Sequence, residues 1–315
     1  MIYSNRIKTN LVTGGAGFIG SHLIDRLMEK GEKVICLDNF YTGRELNVSK
    51  WINNKNFTLE NHDIVNPIKK KVDNIWHLAC PASPVHYQAD PIKTAKTNFL
   101  GTLNMLELAK ENNAKILLAS TSEIYGDPEV HPQSEDYKGS VNTIGPRSCY
   151  DEGKRISETL FYDFKRIYNT NIRVIRIFNT YGPRMLANDG RVISNFVVQA
   201  LKNKPLTIYG DGSQTRSFCY IDDLIDGIEK VMNSDCHLPI NLGNTKEFTI
   251  LELAKLVKKK LENNLNIDIR PLPEDDPIRR KPNISRAKKE LDWEPKISLN
   301  DGLDLTIKYF MKEIK

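Results

Sequence analysis

The sequence predicts an α/β protein, a doubly wound parallel sheet carrying a smaller C-terminal substrate-binding lobe. Three observations lead there. A glycine-rich turn stands between a short apolar run and an amphipathic stretch. A second apolar run ends in a carboxylate about 20 residues past the glycines. Strand and helix signals then alternate through the first half of the chain.

Leu11-Val12 ends the first buried strand, and Leu23, Ile24, Leu27 and Met28 follow at helical spacing. Between them lies Thr13-Gly14-Gly15-Ala16-Gly17-Phe18-Ile19-Gly20. Gly15-x-Gly17-x-x-Gly20 in a strand–turn–helix setting fits the dinucleotide fingerprint. The glycines allow a tight turn, close backbone approach to a pyrophosphate, and close helix–strand packing. The helix start offers N–H groups and a partial positive charge to the phosphates. Gly14, Gly17, Phe18, Ile19 and Gly20 are the expected cofactor contacts here. Lys33–Leu37 reads as the second strand and ends in Asp38. A carboxylate there accepts hydrogen bonds from both ribose hydroxyls and repels a 2′-phosphate, so NAD is expected rather than NADP. Arg44, close by, is the contrary sign. The fold expected is therefore of Rossmann type.

The third strand is Phe57–Glu60, the fourth Asp73–Ala79, the fifth Lys115–Ala119 and the sixth Asn171–Phe178. Asp63, after the third, reads either as an adenine contact or as a helix N-cap before Ile68. Long helices are expected over Pro91–Asn112 and Tyr150–Tyr168. Beyond Tyr181-Gly182-Pro183 the pattern turns irregular. Short helices (Val192–Leu201, Ile221–Met232, Thr249–Lys260) mix with short strands (Leu206–Tyr209, Pro239–Leu242, Ile267–Arg270). Residues 1–180 are thus read as the dinucleotide domain and 181–315 mainly as the second lobe, with some segments returning to the first.

Composition narrows the function classes. The chain has 315 residues, 40% of them hydrophobic, and a net charge of +5, which suits a packed core and argues against disorder. Its lysines are scattered, and the runs at 69–71 and 258–260 read as solvated faces, not a nucleic-acid surface. Five cysteines without CxxC spacing read as thiols of a reducing compartment. No apolar run approaches the roughly 20 residues of a membrane span. Met1–Arg6 lacks the apolar core of a signal peptide. A cytoplasmic protein, with neither membrane nor nucleic acid as partner and no metal, is the expectation.

The chemistry is carried by Tyr150-Asp-Glu-Gly-Lys154, which puts a phenol and an ammonium on one helical face. A free phenol, with a pKa of about 10, is too weakly acidic to serve as a base near neutrality. A lysine and a positive nicotinamide ring both favour the phenolate. It can then take a proton from a sugar hydroxyl while hydride leaves the same carbon. Thr121, at the end of the fifth strand, is placed to bond that hydroxyl. Glu123, two residues on, reads as an acid/base group or an arginine's partner.

Several longer segments carry a resemblance. They are Asp38–Arg44, Ala79–Pro84, Pro91–Asn98, Leu118–Asp136, Gly145–Arg155 and Asp275–Pro282. With them, nearly the whole chain resembles the extended short-chain dehydrogenase/reductases, and among these the UDP-glucuronic acid decarboxylase family. The resemblance implies Tyr150 as base, Lys154 as its helper, and Thr121, Glu123 and Arg280 as further catalytic groups. An arginine also has a physical case, because its fork matches a sugar carboxylate. On the cofactor side it implies Asn39, Tyr41, Thr42, Gly43, Asp63, Ile64 and Leu78. On the substrate side it implies Lys96, Asn179, Arg191, Tyr209, Gln214 and Arg216. Related 4,6-dehydratases resemble Ser-Thr-Asp-Glu where this chain has Ser120-Thr121-Ser122-Glu123. Ser122 has no acidic proton to give, which disfavours loss of water.

The activity so implied is NAD-dependent decarboxylation of UDP-glucuronate to UDP-xylose through a 4-ketone, in a homodimer. The rival readings are a nucleotide-sugar 4-epimerase, which keeps the carboxylate, and a decarboxylase that releases the UDP-4-keto-pentose. A non-enzymatic NAD-binding regulator is the rival from another class, and it needs no Tyr150.

Overall fold

The computed structural model describes residues 6–272 and 279–314. Met1–Asn5 and the Asp275–Ile278 part of the last motif lie outside the described residues. Six strands line up in parallel: β1 (Thr9–Thr13), β2 (Lys33–Asp38), β3 (Phe57–Asn61), β4 (Asn74–His77), β5 (Lys115–Thr121) and β6 (Ile172–Ile177). Their spatial order is 3-2-1-4-5-6, and Ile240–Leu242 adds a seventh parallel strand beyond β6. β5 is buried from Ile116 to Thr121, as a near-continuous apolar run dictates for a strand covered on both faces. The order reverses between β1 and β4, so a crevice opens beyond their carboxyl ends.

Helix α1 (Phe18–Glu29) buries Leu23, Ile24, Leu27 and Met28 and starts directly at the glycine turn. The expected Pro91–Asn112 helix is broken by a wide turn over Thr97–Gly101 between Pro91–Lys96 and Thr102–Asn112. Gly101 lets Ile64 pass close there, since a Cβ would stand 2.4 Å from the Ile64 Cδ1. The helix Ser148–Tyr168 packs across this segment and buries Tyr150, Lys154, Phe161 and Phe164.

The C-terminal half interleaves with this layer instead of standing apart. The helix Ile221–Asn233 packs on α1, and Ile240–Leu242 joins the sheet. The helix Ile250–Lys260 is fixed by a capping box: the Thr249 hydroxyl accepts from the Glu252 N–H at 3.0 Å, and Glu252 accepts from the Thr249 N–H at 2.7 Å. Leu206–Tyr209 pairs with Ile267–Arg270. Thr215–Ser217 lies between Glu247–Thr249 and the two-residue strand Arg279–Arg280, and that pairing delivers Arg280 to the crevice.

A buried ion pair ties the helix Ser148–Tyr168 to the sheet. Arg176 on β6 donates to Glu158 from Nε at 3.1 Å and Nη2 at 2.8 Å, while Ser120 Oγ donates to Glu158 Oε1 at 2.5 Å. The other Arg176 nitrogen, Nη1, donates to the Tyr125 hydroxyl at 3.0 Å and the Glu135 carbonyl at 2.9 Å. Removing one partner leaves an uncompensated buried charge. Arg176→Met should therefore cost about 3–5 kcal/mol in chemical denaturation, and Arg176→Met with Glu158→Leu should recover part of that loss.

Candidate active site

A cleft of about 780 Å³ runs along the carboxyl ends of β1, β2, β4 and β5 and under the C-terminal segments. That volume suits a nucleotide-sized ligand. Its first wall is the glycine turn. Gly14 has φ +67°, and a Cβ on it would stand 2.9 Å from the Ala79 Cα. A Cβ on Gly20 would lie 2.2 Å from the Gly14 carbonyl oxygen. Only glycine allows this tight a turn against the start of α1. Gly14, Gly17, Phe18, Ile19 and Gly20 all line the cleft.

Asp38 is nearly enclosed where β2 ends. Its carboxylate accepts the Ala16 and Phe40 N–H groups, each at 2.9 Å, and burial pushes its pKa up. Gly43 does not line the cleft; it passes behind the carboxylate, where a Cβ would come 2.6 Å from Oδ2. Asn39, Tyr41, Thr42, Ile64 and Leu78 line the same end. Arg44 is held elsewhere: its guanidinium bonds Glu313, the Tyr309 hydroxyl at 2.6 Å and Asn47 at 3.3 Å. The C-terminal helix Leu299–Glu313 thus occupies the one cation that argued for a 2′-phosphate. Asp63 lines the cleft and pairs with Lys93 at 2.5 Å. Burial works to raise this carboxyl, but the Lys93 hydrogen bond leads the contacts that hold it below its ordinary value. No helix begins after Asp63, so the N-cap reading falls.

At the far end β5 delivers Thr121, and the turn Ser122–Tyr125 delivers Glu123. Thr121 stands by the Tyr150 hydroxyl, where it favours the phenolate. Tyr87 stacks on Tyr150, with ring centroids 4.9 Å apart and planes 6° apart. The Lys154 ammonium donates to the Ala119 carbonyl at 3.0 Å and lies 5.9 Å from the Tyr150 ring centroid. Burial raises the Tyr150 phenol well above its ordinary value and lowers the lysine. That is the balance in the protein without its cofactor, whereas the expectation counted the positive nicotinamide ring as well. The lysine alone does not make Tyr150 acidic, because enclosure penalises the phenolate more than an ammonium at this distance stabilises it.

Glu123 stands between two guanidiniums. Arg280 donates from Nη1 to Oε1 at 2.6 Å and from Nη2 to Oε2 at 2.7 Å, and Arg147 donates from Nη2 to Oε2 at 2.8 Å. Against burial, which works to raise it, the charges of Arg280 and Arg147 hold this carboxyl at about 2. Glu123 is thereby an arginine's partner, as one of its two readings held.

Asn179, Arg191, Tyr209, Gln214 and Arg216 line the opposite wall. Asp189 accepts from Arg191 at 2.5 and 2.8 Å, and the Gln214 amide donates to the Tyr209 carbonyl at 2.6 Å. Lys96 is the exception: it is exposed and outside the cleft. The stripe facing the cleft is Lys93, Thr94 and Thr97, and Lys96 is turned off that face. Sequence reasoning also missed Arg147 and Tyr87. Arg147 stands three residues before Tyr150 in Gly145–Arg155, so its place one helical turn from the phenol is legible in the sequence. Nothing local marks Tyr87. Among the described residues no cluster of His, Cys, Asp or Glu is built to hold a metal ion.

A dinucleotide turn, a Tyr/Lys helix and a second wall from the C-terminal half define an extended short-chain dehydrogenase/reductase. A model of the family described as GDP-mannose 4,6 dehydratase matches residues 11–306. The chain is 59% identical to UDP-glucuronic acid decarboxylase 2 of Arabidopsis thaliana over 96% of its own length and 68% of that protein. It is 56% identical to UDP-glucuronic acid decarboxylase 1 of Danio rerio, over 98% of its length and 74% of the relative. Among solved structures, the UDP-glucuronic acid 4-epimerase from Bacillus cereus, in complex with UDP-glucuronic acid and NAD, superposes with a TM-score of 0.88. Identity is 29%, over 98% of this chain and 100% of that one. The chain belongs to the GDP-mannose 4,6 dehydratase family and, within it, to the UDP-glucuronic acid decarboxylases.

The electrostatics of Glu123 have a testable sign. Its folded-state pKa lies below the ordinary carboxylate value of 4.5, so its contribution to stability is present above that value and fades as pH falls toward about 2. Urea midpoints measured between pH 5 and pH 3 should fall less steeply in Glu123→Gln than in the wild type.

Proposed function

We propose that the protein converts UDP-glucuronate to UDP-xylose and carbon dioxide, with NAD as a cofactor regenerated in each cycle. The observation that carries this reading is the buried Arg280–Glu123–Arg147 cluster next to Tyr150 and Thr121, a carboxylate-matching fork beside a proton-transfer group. The decarboxylase relatives, at 56–59% identity, support it. The glycine turn and Asp38 fit NAD, and the capture of Arg44 by Glu313 and Tyr309 favours NAD over its 2′-phosphate form. Held along the glycine turn and Asp38, NAD would supply reversible hydride transfer at C4 of the sugar.

The chain's own residues do the rest. Tyr150 takes the proton from the 4-hydroxyl, and Thr121 orients that hydroxyl. The acidity this needs comes from Lys154 together with the positive charge of the bound cofactor, which offset the burial of the phenol. The 4-ketone lies β to the C6 carboxylate, so the bond to carbon dioxide breaks with its electrons delocalised as an enolate. The hydroxyls of Tyr150 and Thr121 stabilise that charge. Arg280 holds the carboxylate by its fork. A water held by Glu123 or Arg280 gives the proton to C5, solvent restores the proton that water has lost, and the C4 oxygen is reprotonated by Tyr150. Ser122 offers no acid for loss of water.

We read the assembly as a homodimer. Ile92, Phe99, Leu100 and Ile156 are exposed apolar side chains on the two helical segments that pack together, 91–112 and 148–168. Such a patch marks an association surface. Five free thiols suit a cytoplasmic setting, and no helix among the described residues is long and apolar enough to cross a membrane.

Purified protein incubated with UDP-glucuronate should release carbon dioxide and give UDP-xylose by mass spectrometry. Tyr150→Phe should lower kcat by about 10²–10⁴-fold, and Arg280→Ala should abolish decarboxylation. Isomerised UDP-hexuronate without carbon dioxide would establish a 4-epimerase instead. Accumulated UDP-4-keto-pentose with stoichiometric NADH would establish a releasing decarboxylase. For the assembly, light scattering should find a dimer, and Leu100→Glu should halve its mass; an unchanged mass would remove that face from the interface.

A further inference from the structure

The two arginines on Glu123 are not equivalent. Arg147 is the residue immediately before the helix Ser148–Tyr168, so it is fixed to the same rigid element as Tyr150 and Lys154. Arg280 arrives from the other half of the chain, on the short strand Arg279–Arg280. Both are almost fully buried, at 7% and 6% exposure. Arg147 makes one bond to Glu123 Oε2, whereas Arg280 spends both terminal nitrogens on the two carboxylate oxygens. In this arrangement the fork that is to receive a sugar carboxylate is already engaged with Glu123. Arg280 can turn toward another carboxylate only if a second cation keeps Glu123 in place.

We propose that Arg147 is a positioning residue that anchors Glu123 from the helix side, so that Arg280 can exchange its fork from Glu123 to the carboxylate of the substrate. This rests on the UDP-glucuronate reading above. Among the described residues, the charged and titratable groups gathered at Glu123 include Arg147, Arg280, Tyr87 and Tyr150, and Asp151 acts on Arg147 and Tyr87 from the first turn of the same helix. Without Arg147, Arg280 is the only guanidinium among the described residues left on this buried carboxylate, and releasing it leaves Glu123 without a guanidinium. The substrate must then compete for a fork it otherwise receives. Glu123 also becomes easier to protonate, because one of the two cations holding it down is gone.

The test measures binding and turnover separately. In Arg147→Gln, affinity for UDP-glucuronate should fall by about tenfold or more, while affinity for UDP and for UDP-glucose, which carry no sugar carboxylate, should stay within about twofold. The acid limb of the pH–rate profile should move up by about one unit or more. In a Glu123→Gln background, Arg147→Gln should add little, since the residue acts through Glu123. Arg147→Lys keeps the charge and tests the idea even where the glutamine variant does not fold; it should retain affinity within about threefold. Equal losses for all three ligands, additive effects with Glu123→Gln, or a tenfold loss in folded Arg147→Lys would each overturn the proposal. Failure of the wild type to prefer UDP-glucuronate over UDP-glucose would instead count against the substrate reading itself.

Discussion

The buried pair of Glu158 and Arg176 sets the geometry on which the site depends. Glu158 lies two turns along the helix from Tyr150, and Arg176 lies on the strand beside β5. Their paired bonds, together with Ser120 Oγ on Glu158, fix the helix in rotation and height against the end of β5. Tyr150 then meets Thr121, and Lys154 meets the Ala119 carbonyl. A helix on an apolar face alone can slide by part of a turn at small cost. A charged pair with directional bonds cannot, because any slip strands a charge in the interior.

Enclosure brings chemistry with it. The same burial that fixes Tyr150 raises the phenol well above its usual value and lowers Lys154. Burial therefore favours the neutral phenol in the protein alone, and in the proposed cycle the positive charge of NAD works the other way. Glu123 is the opposite case. It is also buried, yet the two guanidiniums outweigh the cost and hold it at about 2. Neighbouring groups in one cleft thus differ in protonation because their nearest charges differ in number and distance.

The parts legible in the sequence are those with local signatures. The glycine turn, Asp38 at the end of β2 and the i, i+4 spacing of Tyr150 and Lys154 all depend on near neighbours in the chain, and each stands where it was expected. The apolar runs of β5 and β6 are equally local. Lys96 was misplaced because lysines at 93 and 96 differ only in which side of one helix turn meets the cleft, and that depends on the packing of the helix. Tyr87 was missed because its stacking partner lies 63 residues away in the sequence.

By itself the sequence determined the succession of the first six strands, the cofactor turn and the spacing of the Tyr150/Lys154 pair, since backbone sterics and helical periodicity act over a few residues. The sequence left it open whether the strand after Ile221–Met232 returns to the sheet; only the tertiary structure decided that it pairs with β6, that Arg44 is taken by Glu313, and that Arg147 and Arg280 converge on Glu123. Arg44 and Glu313 stand 269 residues apart in the chain, Arg280 and Glu123 157, and even Arg147 and Glu123 24, beyond the reach of helical or strand spacing. Coulombic and hydrogen-bond energies follow distance in space, which spacing along the chain does not encode.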